Sequence, residues 1–306
     1  MSDGSVVVVG SANMDVVGRV PHLPVPGETV LGSTLTHTPG GKGANQAVAA
    51  ARAGSRVTFV GHVGDDAYAD DLIRSLAGAG VGIGHLTRDR TQPTGVALIM
   101  VDDAGQNMIG VLPGANGQVS PEDVEDVAGE ITRGSVVLTQ LEIPLPTVIR
   151  TAQVGRAAGS LAILNPAPAR ELSLEQLRLF DVVVPNAEEL GRLSGIGSPN
   201  DPVAGARLLV DAGVRAVVVT LGADGAVVVT ADRQASIPPY PVRAVDTVGA
   251  GDAFVGNLAH ALAAGETLIE AAHWAGAAAA LSVGRSGAQT SMPAASETAA
   301  LLGRAS

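Results

Sequence analysis

Short apolar runs recur along the chain and are separated by amphipathic stretches. Each run is continuous rather than alternating in polarity, which is typical of strands that lie between two layers of helices in a parallel sheet. The amphipathic stretches at residues 44–53 and 67–77 are each followed by a glycine, which suits the C-terminus of a helix. This order of elements predicts a doubly wound α/β sheet. The predicted strands lie at residues 6–9, 57–60, 136–138, 161–164, 182–184 and 217–219.

Two segments, at about residues 16–39 and 94–112, depart from this alternation. Both consist of short β-prone pieces separated by glycine and proline, and residues 102–105 suit the turn of a hairpin. They are too short to form a second core and too β-like to be crossover helices. We expect a small sheet that projects over one edge of a single domain spanning residues 1–306, where it would cover a ligand cleft. An irregular surface excursion is the alternative, and the local pattern leaves both open.

Composition narrows the function classes. The 306 residues include 30 acidic and 19 basic side chains, a formal net charge of −11, so we expect neither nucleic acid nor an anionic membrane as a partner. The chain has no cysteine, which excludes disulfides and thiolate catalysis and fits a cytoplasmic location. The first apolar run is four valines long and lacks a preceding basic region, so we expect no signal peptide or membrane span. The histidines lack the spacing of a zinc site, and no serine-hydrolase elbow follows a predicted strand.

The most informative segment for chemistry is residues 246–254. Three small residues, Gly249, Ala250 and Gly251, precede Asp252, which begins a helical pattern that continues to about residue 264. Free backbone amides at a helix N-terminus bind anions. An acid beside such amides supplies the base and the donors that phosphoryl transfer to an alcohol requires. Asp252 as a simple helix cap is the alternative, and the spacing alone leaves both open.

Polar residues also follow several predicted strands, where open α/β sheets bind ligands. Carboxylates and carboxamides at those strand ends would hydrogen-bond a polyol. For Asn13 and Asp15, an Asx turn is the alternative explanation. A glycine-rich segment at residues 40–47 leads into a helix without P-loop spacing, and its local sequence favours a simple strand-to-helix turn. The polar residues at the strand ends are Asn13, Asp15, Glu142, Asn186 and Glu189.

Taken in order, these motifs resemble those of the ribokinase family of sugar kinases, over nearly the whole chain. The resemblance implies a Rossmann-like three-layer αβα domain with a small β-sheet lid, the ribokinase-like fold. It also implies a homodimer in contact through the lid. The stretches that carry the resemblance are residues 10–15, 26–29, 40–47, 94–99, 165–170, 246–252 and 287–289.

The activity implied by the resemblance is ATP-dependent phosphorylation of the 5-hydroxyl of D-ribose, which gives ribose 5-phosphate and ADP. Asp252 would take the hydroxyl proton, and the amides of residues 249–251 would stabilise the transferred γ-phosphoryl group. The sugar contacts implied are Asn13, Asp15, Gly41, Lys42, Asn45, Glu142 and Asp252. The nucleotide contacts implied are Thr220, Gly222, Gly225 and Gly251, together with Asn186 and Glu189, which would organise Mg²⁺ around the phosphates.

The resemblance further implies a monovalent cation site, usually occupied by potassium, beside the anion-binding amides. At two positions the sequence departs from the family pattern: Gly276 replaces a polar residue near the adenine, and Asn257 replaces a small residue. None of the six aromatic residues lies in the two β-prone segments, which favours a bare pentose over a nucleoside. One alternative is another kinase of the family, which would act on deoxyribose, a ketohexose or a nucleoside. A second is a non-catalytic sensor of a sugar or a nucleotide. A dehydrogenase would require a glycine fingerprint that is absent. The residues at the cation positions are Asp246, Val248, Ser282, Arg285, Gly287 and Ser291.

Overall fold

The computed structural model describes residues 4–195 and 201–303. Within these residues a nine-stranded sheet with helices on both faces lies beside a separate four-stranded sheet. The strands are β1 (Ser5–Val9), β2 (Asn13–Arg19), β3 (Thr34–Gly40), β4 (Arg56–Gly64), β5 (Gly82–Asp89), β6 (Gly95–Val101), β7 (Asn107–Leu112), β8 (Val136–Thr139), β9 (Leu161–Leu164), β10 (Val182–Val183), β11 (Ala216–Thr220), β12 (Ala226–Thr230) and β13 (Gln234–Ile237). The α-helices are α1 (Lys42–Arg52), α2 (Ala67–Gly78), α3 (Pro121–Asp126), α4 (Leu145–Ala158), α5 (Leu174–Leu177), α6 (Ala187–Ser194), α7 (Pro202–Asp211), α8 (Ala250–Ala263), α9 (Leu268–Val283) and α10 (Ala295–Leu301).

The large sheet confirms the predicted α/β architecture. Its strand order is β13-β12-β11-β10-β9-β8-β1-β4-β5, and the strands from β11 to β5 run parallel. In β1, Val6 and Val8 enter one hydrophobic core while Val7 and Val9 enter the other. Both faces of the strand are therefore buried, which explains why its sequence is apolar without alternation. All six predicted strands are present.

One edge of the large sheet differs from the prediction. Strands β12 and β13 are antiparallel to their neighbours and complete a meander after β11. The short turn at Gly222–Asp224 reverses the chain between β11 and β12 where a crossover helix would otherwise be needed. Within the described residues, no helix combines the length and the apolar character that crossing a bilayer requires.

The four-stranded sheet is built from the two β-prone segments. Its order is β3-β2-β6-β7, with β2 parallel to β6 and the other pairs antiparallel. The turn between β6 and β7 is closed by a hydrogen bond from Gly105 N to Asp102 O, as the sequence predicts. Because alternate side chains point to opposite faces, Asp15 and its partner Ala97 share one face, and Leu98 lies on the other. We refer to this element as the small sheet.

The sequence gives no account of Asn257, but the structure supplies one. Its side chain is 1% exposed on α8. Asn257 Nδ2 donates to Ala253 O at 2.9 Å, and Trp274 Nε1 on α9 donates to Asn257 Oδ1 at 3.0 Å. The polar residue therefore ties α8 to α9 and leaves the amide with partners on both sides, which a buried amide requires.

Candidate active site

Polar residues converge at the carboxyl ends of the central parallel strands. Glu142 lies shortly after β8, Asn165 directly after β9 and Asn186 shortly after β10. The N-termini of α1 and α8 point to the same edge, because residues of both helices contact one another there. This edge is where open α/β sheets bind ligands, so the sequence-predicted strand-end residues are brought together.

Asp252 lies in the first turn of α8 and is 8% exposed. Its carboxylate does not cap the helix, which begins at Gly249 without a side-chain cap. Instead, Asn45 Nδ2 donates to Oδ2 and Gln46 Nε2 donates to Oδ1, each at 2.9 Å. The first amides of α8 remain free of a side-chain acceptor, so the carboxylate and an anion-binding helix terminus lie side by side.

Glu142 fixes the glycine-rich segment at the start of α1. Glu142 Oε2 accepts hydrogen bonds from Ser11 Oγ at 2.5 Å and from Lys42 N at 3.1 Å, and Asn13 Nδ2 lies 3.4 Å away. Gly41 precedes the helix with φ 88°, and a Cβ there would lie 2.6 Å from Asn13 N. Only glycine allows this close approach. The segment at residues 40–47 is therefore both a strand-to-helix turn and part of the polar site.

The site is dominated by carboxylates around one lysine. Burial, with the neighbouring charges of Glu142 and Asp252, raises the pKa of Asp15 to about 7. Burial by itself lowers the pKa of Lys42, but the surrounding carboxylates, Asp252 first, outweigh it and raise that pKa. Burial also raises the pKa of Glu189, against the opposing effects of its Asn186 hydrogen bond and of Lys42. The site thus offers many acceptors, which suits the hydroxyl groups of a polyol.

Asn45 has unused hydrogen-bonding capacity in this site. Its side chain is 5% exposed, and Oδ1 is buried with no hydrogen-bond partner among the described residues. A buried acceptor without a partner is costly. A ligand hydroxyl beside Asp252 would satisfy it, which supports Asn45 as a sugar contact.

The structure also shows two groups of residues that the sequence predictions missed. Asn116 lies in the short helical turn Gly114–Gln118 after β7 and is 1% exposed. It accepts from Ala12 N, donates to Ala12 O, and donates to Asn13 Oδ1 at 2.7 Å. The second group lies behind Asp252 and consists of Gln46, Gln140 and Asn165. Gln46 and Asn165 lie within motifs that carry the resemblance. The feature that could have identified them is an amide side chain among apolar or small residues.

The predicted nucleotide residues form a second region next to these carboxylates. Asn186 and Glu189 form a reciprocal capping box at the start of α6, in which Asn186 Oδ1 accepts from Glu189 N and Glu189 Oε2 accepts from Asn186 N, both at 2.8 Å. Gly225 closes the turn that leads into β12. Gly276 packs against the ring of Tyr240, 3.5 Å from where its Cβ would be. A cleft of about 510 Å³ is lined by Asn186, Ala187, Glu188, Pro202, Thr220, Leu221, Gly222 and Asp224.

The residues at the predicted cation positions lie in the loop before α8, at the C-terminal end of α9 and in the segment that follows α9. Asp246 accepts from Val248 N at 3.0 Å and from Gly287 N at 2.9 Å, which joins the loop before α8 to the segment after α9. The Arg285 guanidinium pairs with the carboxylate of Glu297 on α10. The hydroxyls of the two serines donate to nearby carbonyls, Ser282 to Ala279 O and Ser291 to Ala288 O, both at 2.8 Å. In the described part of the chain, no group of three His, Cys, Asp or Glu side chains is arranged to hold a metal ion.

Comparison with known proteins gives the family. The chain is 38% identical to a ribokinase of Haemophilus influenzae, over 96% of this chain and 97% of that one. It is 39% identical to a deoxyribokinase of Salmonella typhi, over 94% and 95%. A bifunctional ribokinase/ribose-5-phosphate isomerase A of Fructilactobacillus sanfranciscensis is 40% identical, but the chain spans only 54% of its length.

Solved structures agree with these sequence matches. Arabidopsis thaliana ribokinase complexed with ribose and ATP has a TM-score of 0.88 and 34% identity, covering 98% of this chain and 99% of that chain. The fold is therefore the ribokinase-like one. The profile of the pfkB family carbohydrate kinases matches residues 3–295. With a match of that extent and full-length relatives above 30% identity, the chain belongs to the pfkB family of carbohydrate kinases.

Proposed function

We propose that this kinase transfers the γ-phosphoryl group of Mg·ATP to the 5-hydroxyl of D-ribose. The observation that carries the proposal is the arrangement around Asp252: a buried carboxylate beside the N-terminus of α8, which no side chain caps, facing a cluster of acceptors. The carboxylate accepts a proton, and the amides stabilise negative charge on the transferred group. The ribose and ATP bound by the Arabidopsis relative support the choice of substrates.

The sugar contacts follow from the same geometry. Asp15, Glu142 and the free Oδ1 of Asn45 provide acceptors for hydroxyl groups. Lys42 balances part of the negative charge, and Asn13 is held in place by Asn116. The terminal hydroxyl is then directed at Asp252, and its oxygen attacks the γ-phosphorus in line while ADP departs.

Magnesium fits the residues present. Glu189 is a buried oxygen donor, and oxygen ligands with retained water are what Mg²⁺ prefers. Asn186 and Glu189 would hold the ion's water shell near the phosphates. When bound, the ion neutralises phosphate charge that the carboxylates of the site would otherwise repel.

A potassium ion is proposed beside the anion-binding amides. The backbone carbonyls of the loops joined by Asp246 are suited to a large, weakly hydrated cation. The other residues that would contribute oxygen ligands to the ion are Val248, Ser282, Arg285, Gly287 and Ser291. An ordered ion there would stabilise the turn that presents Gly249, Ala250 and Gly251.

The small sheet is proposed as both a lid and a dimer contact in a cytoplasmic homodimer. Its outward face carries Leu98, and Met100, Met108 and Leu112 lie on the same face in register. These side chains are between 39% and 53% exposed. Contiguous apolar side chains are rarely this exposed on the surface of a monomeric protein. A second copy of the chain would cover them.

Deoxyribose is the second candidate substrate, because a deoxyribokinase is as similar to this chain as the ribokinases are. The test is ADP formation with Mg·ATP in the presence of ribose, deoxyribose, fructose, adenosine or no sugar, with and without potassium. Ribose-dependent turnover stimulated by potassium supports the full proposal. A higher kcat/KM for deoxyribose transfers the assignment to that sugar, and activity on adenosine alone indicates a nucleoside kinase.

A further inference from the structure

A row of buried side-chain amides lies behind the carboxylate of Asp252. Gln46, on α1, has no exposed surface. Its Nε2 donates to Asp252 Oδ1 at 2.9 Å and to Asn165 Oδ1 at 3.0 Å, and its Oε1 accepts from Gln140 Nε2 at 2.6 Å. Each polar atom of the Gln46 side chain therefore has a partner. We refer to Gln46, Gln140 and Asn165 as the amide row.

The direction of these hydrogen bonds is fixed by the main chain. Asn165 Nδ2 donates to Val184 O at 2.9 Å, and a carbonyl oxygen can only accept. The oxygen of Asn165 must therefore face Gln46, and Gln46 must turn its NH₂ group towards both Asn165 and Asp252. A reversed Gln46 amide would place its oxygen against two acceptors at once, which is unfavourable in a buried site.

The two oxygens of Asp252 are consequently not equivalent. Oδ1 is bound to Gln46, whose amide cannot turn without breaking the row. Oδ2 is bound to Asn45, whose own Oδ1 has no partner among the described residues. Turning the Asn45 amide towards an incoming hydroxyl would break one hydrogen bond, whereas turning the Gln46 amide would break three.

We propose that Gln46 is a positioning residue that holds Oδ1 of Asp252 as a permanent acceptor and so assigns proton transfer to Oδ2. The proposal rests on the proposed function, in which Asp252 is the base. The O–H bond of the sugar's terminal hydroxyl breaks and its proton moves to Oδ2. The sugar oxygen forms a bond to the γ-phosphorus, the bond from that phosphorus to the β–γ bridging oxygen breaks, and ADP leaves with the electron pair.

A hydrogen bond donated to a carboxylate stabilises its ionised form. Other titratable groups act on Asp252 as well, namely Lys42, Asp15 and Glu189, with Glu142 next to Asp15. Lys42, Asp15, Glu189 and Glu142 are unchanged in every variant below. Differences in kcat and in its pH dependence between variants therefore result from the substitution in the amide row.

The principal test is Gln46→Met, which keeps the length of the side chain and removes both donors. At saturating sugar we expect kcat to fall by ~10- to 100-fold, which corresponds to the free energy of one hydrogen bond to a charged group. The acid limb of the kcat–pH profile should move to higher pH, because the carboxylate loses a donor. The sugar KM should stay within about threefold, because Gln46 does not reach the sugar.

Three variants make the result specific. Gln153→Met is the matched control: Gln153 is exposed on α4, and its hydrogen bond is to Arg150, so kcat and the pH profile should be unchanged. Gln140→Met should act in the same direction as Gln46→Met but more weakly, because Asn165 still orients Gln46. Gln46→Glu keeps the shape of the side chain and should move the acid limb up further, because two carboxylates then meet.

The outcomes separate the two claims. A wild-type enzyme without sugar-dependent ADP formation, or an Asp252→Asn variant with normal turnover, overturns the proposed base and with it this inference. An active wild type whose Gln46→Met and Gln46→Glu variants keep the wild-type acid limb overturns the positioning by Gln46 alone. Thermal unfolding of each variant identifies any that fail to fold, and Gln46→Glu then decides the question.

Discussion

Replacing Asn116 by alanine tests whether sugar affinity depends on a residue that does not touch the sugar. Asn116 follows β7, the last strand of the small sheet, and its side chain holds the junction between β1 and β2. It bonds both the N–H and the C=O of Ala12 and donates to Asn13 Oδ1. A Cβ on Gly95 would collide with Asn116 Nδ2 and Asn13 Oδ1 of this cluster, and it would lie 2.8 Å from Pro113 O. Strands β2, β6 and β7 are therefore joined at one point.

The magnitude follows from the bonds that are lost. Three hydrogen bonds at about 1 kcal/mol each give roughly 3 kcal/mol of lost stability. In a chain of this size that lowers Tm by about 6 °C, at about 2 °C per kcal/mol. Asn13 also loses the 2.7 Å bond that fixes its amide. An unrestrained Asn13 should raise the sugar KM by about 5- to 10-fold, which corresponds to roughly one hydrogen bond.

The assay is thermal unfolding together with the ribose dependence of ADP formation. Asn257→Ala is the matched control, because Asn257 is also 1% exposed and also makes hydrogen bonds, to Ala253 and Trp274, neither of which is a proposed sugar contact. Both variants should unfold at lower temperature, and only Asn116→Ala should raise the sugar KM. An unchanged KM in Asn116→Ala, or an equal rise in Asn257→Ala, would refute the reasoning.

Three further predictions concern the base, the small sheet and the charge of the site. Asp252→Asn should keep the fold and sugar binding while kcat falls by ~10²- to 10⁴-fold, measured as ADP formation and by calorimetric titration with ribose. Leu98→Glu should convert a dimer to a monomer in light scattering, whereas Leu208→Glu, at a similarly exposed site on α7, should not. Asp15→Asn should weaken sugar binding yet raise Tm at pH 8 and not at pH 4. The reason is that the native pKa of about 7 exceeds the ordinary value of 3.8, so stability falls as pH rises through that window.

The parallel part of the large sheet could be predicted because each strand carries its own signal. A strand such as β1 is buried on both faces, so its valines form a continuous run that differs from the helices around it. The meander from β11 to β13 could not be predicted in the same way. Strands β11 and β12 have the same sequence, AVVVT, and the antiparallel pairing of the second depends on the reversal at Gly222–Asp224.

The candidate site could be predicted only where a residue stands in a recognisable motif or directly follows a predicted strand. Asp252 and Asn45 belong to such motifs, and the structure brings them together across 207 residues of sequence. Asn116 and Gln140 have no local signal, because what they do depends on partners far along the chain. Asn186 and Glu189 could be predicted from their place after a strand, yet the sequence could not show that Glu189 is buried near Lys42.

The site divides its hydrogen-bonding groups by type, and Asp252 lies on the boundary. On one side are acceptors, the carboxylates of Asp15 and Glu142 and the free Oδ1 of Asn45, which suit the hydroxyl donors of a sugar. On the other side are the N-terminal amides of α8, which are donors and suit a phosphoryl group. A nucleotide without a cation would bring its negative charge towards these carboxylates, and for this reason the proposed phosphoryl donor is Mg·ATP rather than free ATP. In the proposed reaction the proton moves from the sugar hydroxyl to Asp252, which lies where the two sides meet. A base held by amides on both oxygens is suited to that position because its orientation is set before either substrate binds.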